Sequence, residues 1–234
     1  MWGFYGLYYD PTYILVFVGL VLCLLASAMV KVTYRKYSQV YTMRHMTGAQ
    51  AAEMILKNAG ISDVRIETVS GELTDHYDPR AKVLRLSMLN YNTSSVAAIG
   101  VAAHEAGHAV QHHRGYVPLK LRNLILPVAN LGSQIGVPLV IIGLIFSLGD
   151  GLITAGIFLF AFAVLFQVVT LPVEFNASRR AVKLLGEYDV LSKEELSGCK
   201  KVLTAAAMTY VAAAASSALQ LLRLVILGGR RRRD

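Results

Sequence analysis

Three long apolar stretches alternate with polar ones along this chain, and they set its plan before any motif is considered. Tyr13 to Val30 is almost purely apolar over about 18 residues, enough to cross a bilayer with little tilt. Leu124 to Leu148 is a second stretch, with kinks expected at Pro127 and Pro138, and Leu152 to Leu171 is a third. Gly149-Asp150-Gly151 makes the tight turn between them, which predicts a helical hairpin. Val202 to Leu227 is long enough for a fourth crossing, but Gln220 and Arg223 interrupt it. A crossing there would also carry the terminal arginines outside, so the reading favours an interfacial or re-entrant helix.

The polar stretch from Lys31 to Ser95 has shorter periods. Gly48 to Asn58 reads as a helix ended by Gly60. Asp63 to Val69, Glu72 to Tyr77 and Lys82 to Ser87 alternate as strands, separated by turns at Ser70-Gly71 and Asp78-Pro79-Arg80. This predicts a small α+β unit with a β-meander. Thr93-Ser94-Ser95 offers N-caps for a helix over Val96 to His113, whose first half, VAAIGVAA, is small enough for close packing. The expected segments are an anchor at 1–30, an α+β domain at 31–118, the hairpin at 119–171, a further helix at 172–200 and an apolar helix with a basic tail at 201–234.

Composition agrees. The 234 residues are 55% hydrophobic and 16% charged, and mean hydropathy is +0.49, which excludes a wholly water-soluble globule. The net charge is +8, and half of it is Arg230 to Arg233. The remaining positive charge flanks the apolar stretches, pointing to anionic lipid headgroups rather than nucleic acid. Ala26-Ser27-Ala28 mimics a signal-cleavage site, but Lys31, Arg35 and Lys36 follow the first stretch instead of preceding it. That polarity predicts an uncleaved anchor with the next domain in the cytoplasm. Lys120 and Arg122 before the hairpin, and Arg179, Arg180 and Lys183 after it, place both open ends on the same side. Cys23 and Cys199 fit neither a disulfide framework nor a thiolate metal site.

The chemistry is carried by His104-Glu105-Ala106-Gly107-His108, an H-E-x-x-H pattern inside the predicted helix. One helical turn separates the two histidines, so both imidazoles can hold one Zn²⁺ while Glu105 reaches a water activated by it. A third protein ligand is required. His112 lies about 12 Å along the axis from His104, out of reach of a metal held by the pair. His112 and His113 are better placed at the helix C-terminus, where an imidazolium suits the dipole. Glu174 follows the third span, and two crossings return the chain there to the side of the histidines. Ser178, one turn later, is placed to orient a ligand. Arg179 or Arg180 could stabilise an oxyanion or pair with Glu174. His76 and Tyr77, in the strand before the motif helix, are candidates for substrate or oxyanion contacts.

Three segments carry a resemblance: Gly71 to Arg80 (GELTDHYDPR), Val96 to Gln111 around HEAGH, and Thr170 to Ala181 (TLPVEFNASRRA). Together they resemble the YugP-type membrane zinc metallopeptidases, relatives of the HtpX-type and prenyl-protein endoproteases. The resemblance implies a zincin-like catalytic domain in a mostly α membrane protein of three to four transmembrane helices. It implies a gluzincin site with His104, His108 and Glu174 as ligands and Glu105 as base. It further implies that Leu73 to Tyr77 pairs with substrate as an added strand. Where the family commonly shows EFDAS, this chain has Asn176, which keeps an oxygen acceptor and loses a charge. Where the wider gluzincins often have Asp, it has Ser178, which can orient a histidine with less negative field.

The function expected is a multi-pass membrane zinc endopeptidase cutting protein or peptide substrates at the cytoplasmic bilayer face. The alternative is a non-catalytic membrane scaffold that keeps the fold, although a scaffold has no chemical need for Glu105. A metal transporter fits poorly, since the three spans carry no His, Asp or Glu. Cysteines placed at Asp150 and at Arg35 should label from opposite sides of the membrane. Labelling of both from one side would break the topology that returns Glu174 to the histidines.

Overall fold

In a computed structural model that describes residues 10–146 and 150–231, the apolar stretches become long helices and the polar stretch folds around a small sheet. In chain order the elements are α1 (Tyr13–Ser38), α2 (Gly48–Asn58), β1 (Arg65–Val69), β2 (His76–Asp78), β3 (Val83–Ser87), α3 (Met88–Asn92), α4 (Val96–His113), α5 (Val117–Phe146), α6 (Asp150–Glu187) and α7 (Lys193–Arg231). Packing divides them into two compact units. One comprises the described residues up to Ala26, then Lys120–Leu171, and those from Thr209 onward; the other comprises Ser27–Leu119 and Pro172–Met208.

The first unit is helical, and its polarity is the reverse of a water-soluble bundle. Phe17, Leu25 and Phe158 are each at least 60% exposed, while glycine contacts and a small apolar cluster of Val140, Ile153, Phe160 and Leu224 pack the inside. That arrangement suits lipid as the surrounding solvent. A Cβ at Gly132 would lie 2.0 Å from the carbonyl oxygen of Leu159, and one at Gly156 would lie 2.7 Å from that of Gly136. Only glycine lets the hairpin backbones approach this closely. Among the described residues, four helices, α1, α5, α6 and α7, are long and apolar enough to cross a membrane.

The fourth of these changes the picture drawn from residues 202–227. Arg223 interrupts the apolar run in sequence, yet it is buried and donates through Nη2 to Asp10 Oδ2 at 3.1 Å, with its guanidinium 4.2 Å from the Tyr13 ring centre. A charge paired within the unit does not face lipid, so it does not bar α7 from crossing. The expected hairpin turn is only partly described, since Gly149 lies outside the described residues while Asp150 and Gly151 already belong to α6. Arg232 and Arg233 of the tail also lie outside them. Pro127, Pro138 and Pro172 all sit inside helices that continue past them.

The second unit holds the sheet. α2 has the bounds expected, with Thr47 and Gln50 forming a reciprocal capping box and Gly60 at φ +73° just past its end. Ser95 caps α4 by accepting from the Ala98 amide at 3.2 Å. The sheet is not the meander expected. Its order is β1-β3-β2, with β1 parallel and β2 antiparallel to β3. Val83, Leu84 and Leu86 of β3 are fully buried, so the most apolar strand takes the centre and the polar, three-residue β2 becomes an edge. The second strand is also shorter than its sequence suggests. Leu73 has φ +55°, and the Thr74 hydroxyl donates to the Ser70 carbonyl, so residues 70–74 turn rather than extend. The core joins Ile55 of α2, Leu84 and Leu86 of β3, Ile99 and Ala103 of α4, Leu185 of α6 and Leu203 of α7.

Gly132→Ala should destabilise the hairpin by about 1–3 kcal/mol, read as a lower Tm of the detergent-solubilised protein. Gly151→Ala, with no neighbour within 4 Å of the added Cβ, is the matched control and should leave Tm unchanged.

Candidate metal centre

The site begins with a backbone contact. Gly107, inside the H-E-x-x-H pattern, faces Ala177 of α6 so closely that a Cβ there would lie 2.9 Å from the Ala177 carbonyl oxygen. Gly100 meets Cys199 of α7 in the same way, at 2.9 Å from Sγ. The small-residue face of α4 thus lets α6 run against it. Glu174 and Ser178 stand one turn apart on that helix, directed at the histidines.

Three donor atoms converge. His104 Nε2 and His108 Nε2 are 3.1 Å apart, and Glu174 Oε2 lies 3.3 Å from the first and 3.5 Å from the second. Ligands about 2.0–2.1 Å from zinc at tetrahedral angles stand roughly 3.3–3.4 Å from one another. The observed spacings are those of one face of such a tetrahedron. Glu174 is 2% exposed, so a cation is the natural neutraliser of the charge placed here. Two imidazole nitrogens and one carboxylate form a donor set that suits zinc.

The remaining ring nitrogens are held from behind. Gln111, fully buried, donates through Nε2 to the Val173 carbonyl at 2.8 Å and to Asn176 Oδ1 at 3.0 Å. Both bonds use the amide nitrogen, so Oε1 must face His108 Nδ1, 3.0 Å away. That nitrogen therefore carries the proton, and His108 Nε2 presents its lone pair to the centre. Arg180 Nε donates to Asn176 Oδ1 at 2.7 Å and fixes the orientation of that amide in turn. On the other histidine, Ser178 Oγ lies 3.1 Å from His104 Nδ1.

Glu105 has no hydrogen-bond or ion-pair partner among the described residues and is partly exposed beside the centre. Burial pushes its carboxyl above the usual range, and the charges of Glu174 and Asp75 push the same way against those of His108 and His104. A raised pKa makes the carboxylate a readier proton acceptor near neutral pH. Burial opposes charge on His108, but its bond to Glu174 and the charges of Glu105 and Glu174 outweigh this and raise its pKa. The centre favours positive charge.

Other sequence candidates are placed elsewhere. His76 is exposed on β2, its Nδ1 2.8 Å from the Thr74 carbonyl and its Nε2 3.3 Å from Arg85 Nη1. Tyr77 bonds through its hydroxyl to His112 Nδ1 at 2.9 Å, which ties β2 to the C-terminal turn of α4. Arg180 bonds Asn176 rather than Glu174. Two participants escape a sequence reading. Gln111 shows its part only by following His108 at the helical spacing of three. Asp75 accepts from the Ser87 amide at 2.8 Å and from Asn90 Nδ2 at 2.9 Å, fastening the segment before β2 to β3 and α3.

Comparison with known proteins agrees with this centre. A family described as "Putative neutral zinc metallopeptidase" matches residues 12–228. The protein described as "Putative membrane protease YugP", from Bacillus subtilis (strain 168), is 47% identical over 187 residues, covering 80% of this chain and 83% of its own length. No solved structure matches the chain.

Gln111→Leu should keep the fold's volume but release the His108 tautomer, lowering zinc affinity by about 10- to 100-fold in competition with a chelator. Unchanged affinity would detach Gln111 from the centre.

Proposed function

The chain belongs to the neutral zinc metallopeptidase family, and from that membership we propose a multi-pass membrane endopeptidase in which His104, His108 and Glu174 hold Zn²⁺. The observation that carries the reading is the convergence of three donor atoms at tetrahedral spacing, beside a carboxylate left free of hydrogen bonds among the described residues. Zinc, when bound, supplies the Lewis acidity that makes water a competent nucleophile near neutral pH.

Glu105 then acts on protons. Its carboxylate accepts one from the attacking water as the carbon–oxygen bond forms, and returns it to the amide nitrogen as the carbon–nitrogen bond breaks. The raised pKa suits both halves of that cycle. Gln111 and Ser178 position the rings: the first keeps the Nδ1 proton on His108, and the second braces His104. Arg180, committed to Asn176, is a positioning residue for this network rather than an oxyanion contact.

Substrates are protein or peptide segments. The outer edge of β2 is unpaired among the described residues, so it can take an extended segment through main-chain bonds with little sequence selectivity. Tyr77 and His76 would border such a segment. Lys31, Arg35 and Lys36 after the first span, with Arg179, Arg180 and Lys183 after the third, support a cytoplasmic active face.

Glu105→Gln should retain stoichiometric zinc and lose cleavage of a generic unfolded substrate by at least about 100-fold, while Glu174→Ala should lose the zinc itself. Equal cleavage by wild type and Glu105→Gln would sink the peptidase reading.

A further inference from the structure

Within the unit that holds the metal centre, α6 and α7 leave between them a groove of about 420 Å³. Its lining is chemically divided. Phe175, Val182 and Leu203 give it apolar walls, while Arg179, Lys183 and Lys200 bring positive charge, and no carboxylate belongs to the lining. Lys183 pairs with Glu187 at 3.4 Å on the exposed face of α6, but Arg179 and Lys200 have no ion-pair partner among the described residues. Phe175 is 42% exposed.

These features select an occupant. A free anion would answer the charges and leave Phe175 in water. A neutral lipid would cover the apolar walls and leave like charges facing one another. An anionic amphiphile satisfies both at once. In sequence, Phe175 follows the third apolar span by one helical turn and the cations come next. Basic residues at that position relative to a span are those that meet headgroups.

We propose that this groove is a binding site for an anionic phospholipid, with its phosphate held by Arg179 and Lys200 and its acyl chain laid over Phe175, Val182 and Leu203. The site is separate from the ligand triad but borders it. Ser178, which stands 3.1 Å from His104 Nδ1, also lines the groove. A bound lipid would therefore lie against the residue that braces a metal ligand.

The test is thermal unfolding of the full-length, detergent-solubilised protein titrated with dioctanoyl phosphatidylglycerol. A saturable rise in Tm is expected. Dioctanoyl phosphatidylcholine, inorganic phosphate and a glutamate-rich peptide should each fail to reproduce it. Lys200→Glu should weaken the apparent affinity for phosphatidylglycerol by about tenfold or more. Thr204→Trp, which fills the groove from its α7 wall, should abolish the shift without altering charge. The proposal is overturned if both variants keep the wild-type titration, or if phosphatidylcholine works equally well. It is overturned too if phosphate or the peptide matches the lipid, since the groove would then be a general anion site. The readout is unfolding rather than cleavage, so its failure is distinguishable from failure of the peptidase reading.

Discussion

Backbone contact between α4 and α6 at Gly107 and Ala177 governs the metal centre. With 2.9 Å between the place of a Cβ and a carbonyl oxygen, any larger residue would push the helices apart. The donor atoms meet within 3.1–3.5 Å of one another, so even a small separation would take Glu174 out of range of a metal held by the histidines. The motif's glycine is therefore as much a part of the site as its histidines, although it touches no ligand. The same logic extends outward through Gly100 and Cys199, which seat α7 against the other part of α4.

Closeness alone would not fix the chemistry, because an imidazole can present either nitrogen. The tautomer of His108 is set by a chain of unidirectional hydrogen bonds that starts at a cation. Arg180 can only donate, so Asn176 must accept; Asn176 accepts again from Gln111, and Gln111 has only its oxygen left for His108. Asn176 takes two donors through one neutral carbonyl oxygen, so the relay needs no carboxylate at this position. Ser178 makes the corresponding contact to His104 with a neutral hydroxyl, so the field behind the ligands is weaker in negative charge than a carboxylate would make it.

The helical unit solves a different problem under the opposite solvent. Many of its large apolar side chains point outward, and its inside is held by close glycine contacts, one small apolar cluster and a buried ion pair. The Arg223–Asp10 pair, with Tyr13 over the guanidinium, joins the beginning of α1 to the far part of α7. Removing charges from water is costly, and the pairing offsets only part of that cost here, since the buried Arg223 Nε has no hydrogen-bond partner among the described residues.

Much of this was legible in sequence because the responsible signals are local. Helix α4 and its cap follow from small-residue periodicity and Ser95; α2 follows from its period, its capping residues and Gly60; the long helices follow from apolar length. The spacing of His104, Glu105 and His108 is a property of one helix and needs no fold to interpret. Glu174 was expected on topological grounds, since two crossings would return the chain to its starting side. Strand order was not legible, because alternation says which faces are buried and not which strand is central; the burial of β3 on both faces decided that. Nor could sequence assign Arg223 a partner more than two hundred residues away, and so it read a paired charge as an obstacle to crossing. Sequence by itself determined the long helices, the spacing of His104, Glu105 and His108, and the membrane character, all of which are set by neighbours along the chain. Tertiary structure alone decided the mixed sheet, the Gln111–Asn176–Arg180 relay and the pairing of Asp10 with Arg223, because each depends on groups that only packing brings within hydrogen-bond distance.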